Sequence, residues 1–309
     1  MTSSTLLQES AAAFANGDVV RAAIIKIFAE ASPLLSAFPF MTIGGDTYKY
    51  TVEGALPTAD FRDVNESYTP NNGVLNPEIE TLKICGGEIR VDTAEVETRP
   101  GTLNRHTDMK VKAMSQKIGY QLIKGSLSTD RKGFVGLEDR LVIGDSQVVE
   151  NGSTSGGDAL SIAKLDQAID LCEGPTHLLM LKQQRRSMTS FLQSSPSIQT
   201  GRDEFGRQLF KYNDLPILIA DQFGDTPALT ATEAGLGGGT TSCSIYVLHL
   251  EEGYLSGLQA APMRVKDLGE MQERPAYGVR IEWIVGEMLA HPRAAVRLRG
   301  IKTNTAAVA

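Results

Sequence analysis

A few groups of residues in this chain have types and spacings that could do chemistry. Gly235, Gly237, Gly238 and Gly239 lie in a GLGGGTT run at 235–241, where backbone free of side chains could cradle a phosphate. A dinucleotide fingerprint needs G-x-G-x-x-G after a strand and opening a helix. Here the β-rich run CSIYVLHL follows instead, and no G-K-[ST] closes a P-loop. The run reads as a flexible surface loop. Ser161-Ile162-Ala163-Lys164 matches S-x-x-K, the nucleophile motif of penicillin-binding enzymes. It has no S-D-N partner, and Ser161 falls in the first turn of a helix, where serine is common. Residues 152–156 read GSTSG, with Thr154 where a nucleophile elbow requires serine. His106, His177, His249 and His291 are scattered, without H-E-x-x-H or other ligand spacing. Glu251, Glu252 and Glu287 carry no signature that separates acid–base work from surface charge. The sequence supports no catalytic residue, no metal ligand and no cofactor.

Cys85, Cys172 and Cys243 lie far apart, with no C-x-x-C. An odd number without clustering points to buried thiols in a reducing compartment. Arg297, Arg299 and Lys302 form a small basic cluster, read as solvated or interface-paired. The formal charge of −7 argues against a chain whose main task is gripping nucleic acid, although a mildly acidic wall could face packaged DNA without holding it. With 309 residues, 41% hydrophobic and 22% charged, the chain is an ordinary globular sequence of one large or two modest domains. It begins without a basic n-region, and no apolar run approaches the roughly 20 residues of a bilayer span. A soluble, cytoplasmically made protein without membrane contact is expected.

The elements that must position these residues follow from periodicity. Residues 1–16, rich in Ser, Thr and Ala, read as a flexible start. Asp18 caps a helix, VVRAAIIKIFAEA, whose stripe is Val20, Ile24, Ile27 and Phe28 and which stops at Ser32-Pro33. From 46 the period becomes two: Tyr48, Tyr50 and Val52 alternate with Lys49, Thr51 and Glu53. A polar, Pro- and Asn-rich stretch covers 54–77, and a second strand-like run covers 80–96, with Gly86-Gly87 as a bulge. So long a hairpin has too few apolar residues for its own core and makes sense if it reaches another chain. The clearest helix covers 104–125, with Val111, Met114, Ile118 and Leu122 on one stripe, Asn104 as N-cap and Gly125 at the C-terminus. Its length is about 30 Å. Loops fill 125–157. A mixed α/β unit follows: helix 158–173, strand 176–182, helix 183–195, and apolar β runs at 215–221 and 243–250. Near the end, Tyr277, Val279, Ile281, Trp283 and Val285 alternate with Arg280 and Glu282, and after Pro292 Val296 and Leu298 alternate with Arg297 and Arg299. These final strands are expected to rejoin the sheet begun before the long helix.

Several pieces, in one order over nearly the whole chain, carry a resemblance: DVVRAAIIKIFAEASPLLSAFPFMTIGGDTYKY, TLKICGGEIRVD, the Val111–Leu122 helix, LIKGSLSTDRKGFVGL with F-x-G-L at Phe134 to Leu137, DLPILIAD, and YGVRIEWIVGEMLAHPRAAVRLRGI. Together they resemble major capsid proteins of tailed bacteriophages, the Hong Kong 97-type shell fold. The resemblance implies an α+β chain with an N-terminal arm (1–45) and an extended β-hairpin loop (46–79). It further implies a peripheral domain with a long spine helix (80–157 and 263–309) and a mixed α/β axial domain (158–262). Its function would be structural: self-assembly as pentamers and hexamers into an icosahedral shell enclosing double-stranded DNA, in a virion capsid. Ile24 and Phe28 on the arm and Phe61, Arg62 and Tyr68 on the loop would meet neighbouring subunits, each held weakly until the lattice closes. Val111, Met114, Ile118, Leu122, Ile281 and Trp283 would form the peripheral-domain core. Partners would be further copies, a portal and a separate scaffolding protein, since the chain starts almost at the arm, with room for a decoration protein. Lys49 and Lys83 flank the loop, but no pattern marks an isopeptide pair. The alternatives are an encapsulin-type compartment shell and an enzyme with a dispersed active site.

Overall fold

A computed structural model describes residues 3–192, 198–202, 208–220, 229–233, 238–303, 305, 307 and 308. The chain begins with β1 (Ser3–Thr5) and α1 (Leu6–Ala15), where a flexible start was expected. Thr5 and Gln8 form a reciprocal capping box, which satisfies donors that otherwise oppose helix formation. The alanines that follow are the best helix formers. α2 (Val19–Glu30) opens at Asp18, whose side chain accepts from the Arg21 N–H. The Ser10 hydroxyl ties α1 to α2 by donating to the Ala22 carbonyl at 2.8 Å. α3 (Pro33–Ala37) and β2 (Pro39–Thr42) come next. A ribbon of β3 (Thr47–Ala55) and β4 (Val74–Thr81) follows, then β5 (Lys83–Asp92) and α4 (Thr93–Thr98).

The long helix, α5 (Thr102–Lys124), starts two residues before its expected cap. Gly101, at φ +87°, is the N-cap; a left-handed residue there reverses the chain after α4 at little steric cost. The remaining elements are α6 (Leu137–Arg140), β6 (Val148–Glu150), α7 (Ile162–Leu171), β7 (His177–Leu181) and α8 (Lys182–Leu192). Then come β8 (Ile198–Arg202), β9 (Gln208–Tyr212), β10 (Leu215–Ala220) and β11 (Ser242–Leu248). The chain closes with β12 (Leu255–Glu270), β13 (Ala276–Leu289) and β14 (Ala295–Lys302).

Among the described residues these strands make a five-stranded sheet, β1-β2-β12-β13-β5, a seven-stranded sheet, β6-β14-β11-β7-β10-β9-β8, and the separate β3-β4 ribbon. β13 rejoins β5, as its alternation indicated, but β14 does not. It pairs antiparallel with β11 and parallel with β6 in the other sheet. The reason lies in its arginines, which are buried and paired rather than facing water, so β14 is hidden on both faces. β12 runs unbroken through residues 262 and 263, where the axial and peripheral segments were expected to meet.

No bulge forms at Gly86-Gly87. They pair in register with Glu282 and Ile281, and a Cβ on Gly86 would lie 2.5 Å from the Ile281 carbonyl oxygen. Glycine there lets β5 approach β13 closely. One apolar cluster spans both sheets, from Trp283, Phe28 and Ile118 to Leu179, Tyr246 and Val247. A smaller one, of Met41, Ile43, Leu82, Leu258 and Met288, sits where the ribbon leaves the body, with Tyr48 and Tyr50 against it.

Candidate assembly surface

The ribbon pairs in register from Thr47↔Thr81 to Glu53↔Leu75 and closes at Ala55↔Val74 after a shift. Eight residue steps at about 3.3 Å carry its far end roughly 26 Å from its root. A two-stranded ribbon has no core and gains little stability alone. It nonetheless exposes large apolar side chains among polar ones: Phe61 is fully exposed, Val64 89% and Leu56 80%, with Tyr68, Val74, Leu75 and Ile79 also more than half exposed. So many exposed large apolar side chains gathered on one element mark a candidate docking site. Arg62 stacks its guanidinium 5.3 Å over the Tyr68 ring and donates to the Glu66 carbonyl at 3.0 Å. The tip therefore has internal order, and Phe61 projects from it.

The ribbon's root is held by charge as well as packing. Arg140 donates to Glu80 Oε1 at 2.7 Å and to the Glu287 carbonyl at 3.2 Å. The Tyr50 hydroxyl donates to the same Glu80 oxygen at 3.2 Å. Burial, with the Glu80 charge beside it, pushes the Tyr50 phenol up to about 12. Glu287 lies behind this cluster, 1% exposed, and neither carboxyl oxygen has a hydrogen-bond partner among the described residues. Burial holds its carboxyl well above the ordinary range, an effect Arg140 only partly opposes. Sequence reasoning missed this cluster because Glu80, Arg140 and Glu287 are far apart in the chain and share no motif.

The arm differs from its expected role. Ile24 and Phe28 turn into the chain's own core, at 5% and 0% exposure. Phe28 meets Trp283 edge to face with centroids 5.4 Å apart, and its carbonyl accepts from the Ser115 hydroxyl at 2.9 Å. A 3.6-residue stripe shows that a helix face is buried, not against which chain. The apolar residues the arm leaves open are Phe14, Val19 and Val20. Val111, Met114, Ile118 and Leu122 of α5 and Ile281 and Trp283 of β13 all lie in the main buried cluster. Trp283 also touches Phe40, with centroids 4.8 Å apart, and donates from Nε1 to Gln259 Oε1 at 2.9 Å.

The C-terminal arginines are not a surface patch. Arg297, 5% exposed, meets Glu138 Oε1 at 2.8 Å and Glu233 Oε2 at 3.1 Å, and Arg299 meets Glu150 Oε1 at 3.4 Å. Lys124, in the last turn of α5, reaches Glu233 Oε1 at 3.2 Å. Buried charges require such partners, and the network ties the end of α5, α6 and β14 together. Ser161 accepts from the Lys164 N–H as the N-cap of α7, which gives its hydroxyl a structural use. Cys172 and Cys243 are buried, with burial pushing both thiols up to about 12. Among the described residues no His, Cys, Asp and Glu group could hold a metal ion, and no helix is long and apolar enough to cross a membrane. Of the glycine-rich run, Gly235 and Gly237 lie outside the described residues.

No protein-family profile and no curated protein matches the sequence. Solved structures do match the fold. The holo-SrpI encapsulin complex from Synechococcus elongatus PCC 7942 aligns with a TM-score of 0.62 at 14% identity, over 87% of each chain. The capsid of a native GTA particle aligns with a TM-score of 0.62 at 11% identity, over 88% of this chain and 90% of that one. A chain from Microbacterium phage Oxtober96 gives 0.62 at 12% identity, over 87% and 90%.

Proposed function

We propose that this chain, whose fold is of the Hong Kong 97 capsid type, builds the shell of a tailed-phage particle around double-stranded DNA. The observation that carries the reading is the ribbon. Its far end lies roughly 26 Å along the ribbon from its root and carries exposed apolar side chains, Phe61 fully exposed among them, which is costly in an isolated subunit and useful against another chain. In this reading copies join as pentamers and hexamers. Residues 1–45 are the arm, 46–79 the extended loop, 80–157 with 263–309 the peripheral domain and 158–262 the axial domain, with β14 contributing to the axial sheet. Phe61, Arg62 and Tyr68 meet the neighbour. A portal and a scaffolding protein complete assembly, a decoration protein has room outside, and the particle forms in the host cytoplasm.

An encapsulin-type compartment is the second reading, favoured by the match to the holo-SrpI complex. Electron microscopy of the chain purified from an expressing cell tests both. Closed shells, tubes or rings of five or six are expected. Nucleic acid inside supports the phage reading and a co-purified protein cargo the compartment. A monomer that stays unassembled with scaffold and crowding agent supplied would overturn both.

A further inference from the structure

We infer that Phe61 of one copy seats in a lysine-rimmed pocket at the root of another copy's ribbon. A pocket of about 120 Å³ opens between β5, the second half of α5 and the turn at 130–134. Its floor is apolar and buried: Ile118, Phe134 and Val285. Lys83, Lys117 and Lys132 line it nearer the solvent. The volume approaches the roughly 150 Å³ of a cavity that accommodates benzene, so a phenyl ring is the scale of group that fits.

Charge selects the partner. The lining carries Lys83, Lys117 and Lys132 against Asp130, three positive minus one negative, or +2. Lys117 already meets Asp130 at 3.5 Å, whereas Lys83 and Lys132 form no ion pair among the described residues. Around Phe61, the tip at 56–73 carries Asp60, Asp63 and Glu66 against Arg62, three negative minus one positive, or −2. An exposed ring flanked by carboxylates thus faces an apolar floor ringed by ammonium groups. Such complementarity fixes register and orientation more than affinity.

The donor must be a second copy. The pocket includes Lys83, two residues beyond the end of β4, while Phe61 lies beyond the ribbon's far end, roughly 26 Å away. This pairing rests on the shell reading and adds to it the receiving surface.

The test is charge exchange in the full chain, with the assembled fraction read by sedimentation and electron microscopy. Lys83→Glu with Lys132→Glu is expected to lower the assembled fraction about tenfold, the scale of a lost rim interaction. Asp60→Lys with Asp63→Lys should do the same. Combining all four should restore assembly to within about threefold of the parent. Both lysines lie at least partly exposed, and circular dichroism of the subunits checks that folding survives. A second measurement uses the native Cys85 thiol in the pocket lining. Phe61→Cys shells treated with a short bismaleimide should give chains linked in multiples of 33.3 kDa, lost on adding Cys85→Ser. If Phe61→Ser abolishes assembly but the lysine pair is silent and no crosslink forms, the ribbon docks elsewhere and the pocket inference falls. If Phe61→Ser shells form normally, the ribbon's role in the shell falls with it.

Discussion

The docking of the arm on this chain's own sheet makes a quantitative prediction. Trp283 is 1% exposed, wedged between Phe28 and Phe40, with its indole N–H on Gln259. Trp283→Ala removes a fully buried ring, which costs about 3–5 kcal/mol. It also leaves the buried Gln259 oxygen without that donor, a loss on the order of 1–3 kcal/mol that overlaps the first. A total near 4 kcal/mol is expected for the unassembled subunit. Phe28→Ala should cost about 3 kcal/mol, and the double variant less than the sum by about 1 kcal/mol, the scale of an edge-to-face pair plus shared packing. Urea unfolding followed by circular dichroism measures all four corners. Trp283, the single tryptophan, supplies an independent fluorescence probe in the parent and in Phe28→Ala. A coupling below about 0.3 kcal/mol would show that α2 is not seated on β13 before assembly, and the arm would again be a candidate for exchange between subunits. A Trp283→Ala cost under about 1 kcal/mol would refute the packing argument itself.

Two further outcomes follow from the buried charges. Glu287 has its folded pKa raised by burial, above the ordinary 4.5 it returns to on unfolding. Its contribution to stability is therefore full below that value and declines as pH rises toward the raised one. Glu287→Gln should gain stability relative to the parent as pH rises above the ordinary 4.5, read from urea midpoints across a pH series; parallel curves would mean the carboxyl finds a charge partner. Arg297→Met removes one of the two cations that Glu233 and Glu138 share and leaves Lys124, so it should cost about 1–3 kcal/mol in thermal or urea unfolding. Adding Glu233→Gln should recover part of that loss, because part of the penalty is a buried Glu233 charge left with Lys124 alone.

What the sequence made legible was what local pattern decides. The α5 stripe, the β13 alternation and the α/β order from 158 onward are each written in the spacing of apolar residues. The misreadings have physical causes. Residues 6–15 looked loose because small residues say little about burial, and the signal was the Thr5–Gln8 box. β14 was assigned to the wrong sheet because arginine is ordinarily solvent-facing. Its partners, Glu138, Glu150 and Glu233, arrive from distant segments that no short window links to it. The stripe of Ile24 and Phe28 fits this chain's own core as well as a neighbour, because period alone does not name the opposing surface, and the structure seats it on the own core.

The placement of buried polarity bears on how a ribbon with so little core can be aimed. Its root contacts are Tyr48 and Tyr50 on a five-residue cluster, the Tyr50–Glu80 bond and the Arg140 bridge to β13. Packing alone would tolerate sliding, because apolar contacts are non-directional. Arg140 instead fixes three directions at once, toward Glu80 and toward the Val135 and Glu287 carbonyls, and a guanidinium's planar donors permit few other arrangements. Burying Glu287 beside it costs stability at neutral pH. A chain selected only for the stability of its subunit would do better with an apolar residue there. Keeping a rigid charged pivot under an exposed ribbon makes sense if the ribbon's direction matters more than the subunit's stability. Many weak contacts can then close together because each is presented at the same angle.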